Sequence, residues 1–188
     1  MRNINSIHNK GITLIELMIT IAIAAVLISL AAPNLTASIQ NNRMSAQVNE
    51  LHAALNVARS EAVKRNDNVS VCRSSNGTSC TGNWEDGWLV FVDADSDGSV
   101  DVGDDILRVQ GALNGSGDLA FSETYVTFIN NGLASVGSSS AFTLCDARGA
   151  SDAKGLLIGT SGRPRIAIDS DDNGIVEDSS GTDLVCPS

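Results

Sequence analysis

Residues 11–33 read GITLIELMITIAIAAVLISLAAP, and this run decides the architecture of the chain. It is predominantly apolar, its one charged residue is the carboxylate at Glu16, and it ends at Pro33. About 20 apolar residues at roughly 1.5 Å rise match a hydrocarbon core of about 30 Å, so the run is long enough for a membrane helix. A lone acid inside such a run is costly and implies a function, usually with a partner that neutralises it. An ordinary secretory signal fits poorly. The run exceeds a typical signal core, no small-x-small cleavage site closes it, and Glu16 stands near its start.

Working outward on the N-terminal side, Arg2 and Lys10 precede the run and residues 1–11 contain no acid. The positive-inside rule therefore puts the N-terminus in the cytoplasm and everything beyond Pro33 outside, in an oxidising compartment. The chain's four cysteines, Cys72, Cys80, Cys145 and Cys186, all fall on that side. An even count in an exported domain predicts two disulfides, with three connectivities open to four cysteines. The favoured pairing is Cys72–Cys80, closing a short loop, with Cys145–Cys186 tying the tail to a core strand. A zinc site is disfavoured, because no Cys-x-x-Cys occurs and His52 is the only exported histidine.

On the C-terminal side, Leu35, Ile39, Met44, Val48, Leu51, Leu55, Ala58 and Ala62 recur at mostly three- and four-residue steps, one apolar stripe of an amphipathic helix. Pro33 need not break a helix at membrane depth. Arg59, Lys64 and Arg65 gather near the end, and Asn66 suits a left-handed stop. One helix is thus expected from about residue 12 to about 66, roughly 80 Å long. The chain divides into a leader (1–11), a transmembrane or filament-core helix (12–33), an amphipathic spine (34–66) and a β-rich globular head (67–188).

The head is rich in Gly, Ser, Asp and Val, and it shows no second helical pattern. Short β-type runs at 69–72, 88–93, 106–110, 125–129, 141–145, 155–158 and 165–168 alternate with turn residues. They predict antiparallel sheets packed on the helix, an α+β fold. Residues 115–117 and 137–140 read as loops. About 120 residues suffice for one small core, with the disulfides assisting.

Two acidic loops raise a metal question. Asp93, Asp95 and Asp97 hold the first, third and fifth places of a calcium-loop spacing, Gly98 the sixth, and Asp101 and Asp104 the ninth and twelfth. Asp104 stands where a longer Glu is usual. A shorter echo runs over 169–174. The competing reading is a hairpin turn whose Asp and Asn side chains bond their own backbone. No cofactor is required by any other feature, and Ca2+ is the one candidate.

Catalysis finds little support. Histidines occur only at His8 and His52, no Ser-His-Asp constellation stands out, and neither phosphate-loop motif occurs. The chain reads as a non-enzyme. Its formal charge is −10; loss of Arg2 and Lys10 with the leader leaves ten basic residues against 22 acidic ones, or −12. Such a surface repels nucleic acid in bulk, so any contact with it must be local.

The junction Lys10-Gly11-Ile12-Thr13-Leu14-Ile15-Glu16-Leu17 resembles the leader junction of type IV pilins and type II secretion pseudopilins. The resemblance implies cleavage after Gly11 by a prepilin peptidase and N-methylation of Ile12, where the family usually has Phe. It also implies that Glu16 pairs with the terminal amine of a neighbouring subunit during assembly. Asn41-Asn42-Arg43, 58–65, Val71-Cys72, Trp84, Gly87-Trp88-Leu89-Val90-Phe91-Val92-Asp93, 106–108 and Cys145-Asp146-Ala147-Arg148-Gly149 resemble the FimT/FimU and GspH group of minor pilins and pseudopilins.

That likeness covers nearly the whole chain. It implies an inner-membrane protein with a periplasmic head, later part of a pilus or pseudopilus, with other pilins or pseudopilins as partners. The expected function is a minor type IV pilin in the pilus or at its tip; the alternative is a minor pseudopilin of type II secretion. Gly162-Arg163-Pro164-Arg165 resembles a Gly-Arg-x-Arg motif linked to DNA uptake in FimT-like pilins. There Arg163 and Arg165 would contact DNA, unless Asp169, Asp171 and Asp172 pair with them instead.

Overall fold

A computed structural model describes residues 11–115, 117–137 and 140–187, apart from the side chains of 30–34. The leader with Arg2, His8 and Lys10 lies outside the described residues, as do parts of the loops expected at 115–117 and 137–140. Helix α1 spans Leu14–Arg65 and continues through position 33. The chain falls into two units, one ending at Asn41 and one beginning at Asn42.

Both ends of α1 carry a chemical signal. The Glu16 N–H donates to Thr13 Oγ1 at 3.3 Å, an N-cap in which the hydroxyl satisfies an amide that has no helical partner. At the other end Asn66 adopts φ 56°, and the Asp67 N–H donates back to the Ala62 carbonyl at 3.2 Å. That six-to-one bond with a left-handed residue inside it is a Schellman stop. Lys64 and Arg65 both pair with Glu61, at 2.9 and 2.8 Å, and Arg65 also reaches Asp105 at 2.8 Å.

In the second unit, β1 (Val69–Arg73), β2 (Trp88–Val92), β3 (Ile106–Gln110) and β5 (Tyr125–Phe128) form sheet A in the order β3-β2-β1-β5. The second sheet, B, orders β4 (Asp118–Ala120), β6 (Ser140–Cys145), β7 (Lys154–Ile158) and β8 (Arg165–Ile166) as β4-β6-β7-β8. Every pairing is antiparallel. Two single 3-10 turns, Trp84–Asp86 and Ala150–Asp152, punctuate the head.

The main core joins Met44, Val48, Leu51, Ala54, Leu55, Ala58 and Ala62 of α1 to inward residues of both sheets. Val69, Val71, Trp88, Val90, Val126 and Phe128 come from sheet A; Leu119, Phe142, Leu144, Leu156 and Ile158 come from sheet B. Trp84 meets Phe142 edge-on at 4.9 Å, and its indole N–H donates to the Glu123 carbonyl at 2.9 Å. Sheet A is covered on its other face as well. Cys72, Leu89 and Phe91 point there, with Cys80, Val100, Ile106 and Tyr125 packed over them. The period of two thus distributes each strand between two cores, which is why β1 and β2 are buried almost throughout.

Disulfides join Cys72 to Cys80 and Cys145 to Cys186, the latter at the last residue of β6. The structure revises some expected elements. Leu35 and Ile39 are exposed, so the buried stripe begins at Met44. The run at 165–168 yields a strand of only two residues. Strand β4 was not expected; three residues are too few for an alternating pattern to register.

Candidate functional site

The N-terminal segment presents its side chains outward. Gly11 has open space around it, and Glu16 is exposed in the first turn of α1, where a carboxylate also complements the helix dipole. Ile12, Leu14, Ile15, Leu17, Met18, Ile19, Ile21, Ile23, Val26, Leu27 and Ile28 are all more than half exposed. Among the described residues no helix is long and apolar enough to cross a membrane; the side chains of 30–33, the end of the expected span, lie outside them.

The Gly162–Arg165 segment is built against the helix end of the head. Gly162 has φ 65°, and its backbone approaches the Gly132 carbonyl so closely that a Cβ would lie 2.1 Å from that oxygen. The same carbonyl accepts from Arg59 Nε at 3.0 Å. Pro164 is buried, and its carbonyl stands 3.3 Å from His52 Nε2. With the backbone fixed at 162 and 164, Arg163 and Arg165 are left exposed beside one cleft that Ser161 and Thr160 also line. Arg165 starts edge strand β8, consistent with Pro164 offering no N–H to the ladder.

Among the described residues neither guanidinium enters a salt bridge or hydrogen bond. Two of the three nearby acids are engaged in their own loop. Asp169 accepts from the Asn173 and Gly174 amides, at 3.2 and 2.8 Å, and Asp171 accepts from Asn173. The pairing of these aspartates with the arginines, the competing expectation, is not what the structure holds.

Of the five acids expected in the first metal loop, the structure brings three together. Asp93, Asp95 and Asp97 each place a carboxylate oxygen within 4.8 Å of the others. Asp101 and Asp104 fall outside that group; Asp104 instead accepts from the Asp101 N–H at 2.8 Å. Burial pushes the Asp93 carboxyl above the usual range, the Ser70 hydroxyl and Gly98 amide pull it partly back, and the Asp95 carboxylate raises it again. Asp101 is raised mainly by the negative charge of Asp97.

A second cluster, Asp169, Asp171 and Glu177, includes the buried Glu177, whose oxygens are satisfied by the Ser170 amide and hydroxyl. The echo over 169–174 thus gains Glu177, which stands at the ninth place of the same spacing, beyond the stretch singled out from the sequence. Sequence reading also missed Ser70 and Thr127 beneath Asp93 and His52 beneath Pro164. Thr13 had a signal available, the Thr-x-x-Glu of a capping box.

Comparison with known proteins places these sites in context. The family profile described as "Type II transport protein GspH" matches residues 47–176, and that described as "Prokaryotic N-terminal methylation motif" matches residues 7–32. No curated protein sequence matches significantly. Two crystal structures of the type IV minor pilin FimU of Pseudomonas aeruginosa share the fold. One has TM-score 0.55 at 23% identity over 69% of this chain and 91% of that one. The other has TM-score 0.53 at 22% identity, over 66% and 92%.

Proposed function

Because the chain belongs to the GspH family of minor pilins and pseudopilins and carries the N-terminal methylation motif, we propose that it is a minor subunit of a type IV pilus, incorporated in the filament or at its tip. In this reading a prepilin peptidase cuts after Gly11 and methylates Ile12. Residues 12–33 anchor the protein in the inner membrane, N-terminus inside and head in the periplasm, and later enter the filament core.

One observation carries the proposal: the methylation motif coincides with a stretch, Ile12–Ile28, whose large apolar side chains are all exposed. Such a surface is stable only against lipid or other helices. Glu16, alone among those side chains in carrying charge, would pair with a neighbour's new terminal amine. Breaking a desolvated pair strands the remaining charge, at a cost of about 3–5 kcal/mol, so Glu16 acts as a registration device.

The family description itself supports a second reading, a pseudopilin of type II secretion. Shearing surface fibres and probing them for the chain separates the two. Recovery in sheared pili supports the first reading; retention with the cells, together with loss of protein export when the gene is deleted, supports the second. In the same assay Gly11→Val should leave the leader attached. Glu16→Ala should be cleaved normally yet be depleted from the filament at least tenfold, and its normal incorporation would sink the registration role. Exposed and unpaired, Arg163 and Arg165 extend the proposal to weak DNA capture by the pilus.

A further inference from the structure

Strand β2 sends Leu89 and Phe91 to the face of sheet A opposite α1, and the same alternation carries Asp93 there. Asp93 is completely buried. Its Oδ2 accepts from the Ser70 hydroxyl and from the Gly98 amide, the latter at 3.2 Å. Ser70 is in turn hydrogen-bonded to Thr127 Oγ1 at 2.6 Å. The other oxygen, Oδ1, is buried and has no partner at all.

A carboxylate oxygen removed from water without a donor is a large uncompensated cost, so this position lacks a positive group. The neighbourhood deepens the deficit. Asp95 and Asp97 close on Asp93 to within 4.8 Å, and among the described residues no Lys or Arg forms a salt bridge with any of the three. A cation among the three carboxylates would supply the missing partner and remove their mutual repulsion.

Chemistry selects the ion. The donors are all hard carboxylate oxygens, which disfavours zinc. Asp95 and Asp97 are both exposed, leaving room for water to complete an irregular shell of six to eight oxygens of the kind Ca2+ accepts and Mg2+ does not. Gly98, at φ 75°, turns the loop back so tightly that a Cβ would strike the Tyr125 ring. The loop therefore lies over sheet A, with Val100 packed into the small core beneath it.

We propose that Asp93, Asp95 and Asp97 bind a calcium ion that pins the β2–β3 connection onto the outer face of sheet A. The ion ties an exposed acidic loop to the end of β2 through one buried carboxylate. It acts on the head alone and does not depend on the filament role. Affinity in the range of extracellular calcium modules, roughly 10⁻⁴–10⁻³ M, matches three carboxylates on one loop.

The test uses the full chain in detergent micelles, stripped with EDTA and titrated with CaCl2 by calorimetry and thermal melting. One site per chain and a rise in Tm are expected. Asp95→Asn with Asp97→Asn, both outside the core, should weaken binding at least tenfold and abolish the Tm rise. Asp171→Asn in the other acidic loop should leave both unchanged. Absence of heat and of a Tm rise in the parent would overturn the proposal. So would binding that survives the Asp95/Asp97 double change, or binding lost on Asp171→Asn.

Discussion

Gly162 shows how one residue sets a surface. Its φ of 65° and a virtual Cβ 2.1 Å from the Gly132 carbonyl oxygen leave no room for a side chain. Gly162→Ala is expected to destabilise the head by about 2 kcal/mol or more, combining a left-handed cost of about 1 kcal/mol with the displaced carbonyl. Gly181 is the internal control, with φ 81° but nothing near its Cβ position. Gly181→Ala should lose only about 1 kcal/mol, so thermal melts should separate the two by several degrees. Equal Tm values would mean that the Gly132 contact does not constrain position 162. The pairing of Gly162 with Gly132 has no signature in the sequence, because two backbones meeting across 30 residues leave no pattern of side chains.

Among the elements, α1 is legible in extent because its signals are local, a stripe at helical spacing and a left-handed asparagine; its hydroxyl cap at Thr13 was found only in the structure. The stripe marks burial only from Met44 onward: Leu35 and Ile39 continue the period but are exposed. The strands were legible as elements, but their grouping into two sheets was not. The tail, residues 177–187, is held by an isolated bridge between Glu177 and Asp183, by Leu184 in a small core, and by Cys186. The two disulfides enclose very different loops, with separations of 41 and 8 residues. By chain entropy the longer contributes about 4 kcal/mol and the shorter about 2.5 kcal/mol. Replacing Cys145 and Cys186 by Ser should therefore lower the denaturant midpoint more than replacing Cys72 and Cys80. The reverse order would show that native packing around Cys72, not loop closure, governs their effect.

For the whole molecule, charge and local geometry pull in opposite directions. A net −10 disfavours nucleic acid everywhere, yet Arg163 and Arg165 stand free beside one cleft. Two phosphate contacts give a salt slope near −2, so DNA affinity of the full chain in detergent should fall roughly tenfold between about 50 and 200 mM salt. Fluorescence anisotropy with duplexes of unrelated sequence should give equal, weak binding. Changing both arginines to Gln should reduce it severalfold and flatten the salt dependence. Unchanged binding in that variant, or none in the parent, would remove DNA capture from the proposed function.

By itself the sequence determined whatever depends on neighbours along the chain. The methylation junction, the helix with both its ends, most strand positions and the acidic loop spacing are all properties of contiguous residues, fixed by periodicity, capping and turn chemistry. Tertiary structure alone decided which groups separated in sequence share one environment. It buried Asp93 beside Ser70 and Thr127, set Pro164 against His52, and left the arginines unpaired by engaging Asp169 and Asp171 in their own loop. Burial and hydrogen-bond competition are settled only when distant segments pack, because each donor and acceptor can be claimed once and the claimants are brought together by the fold.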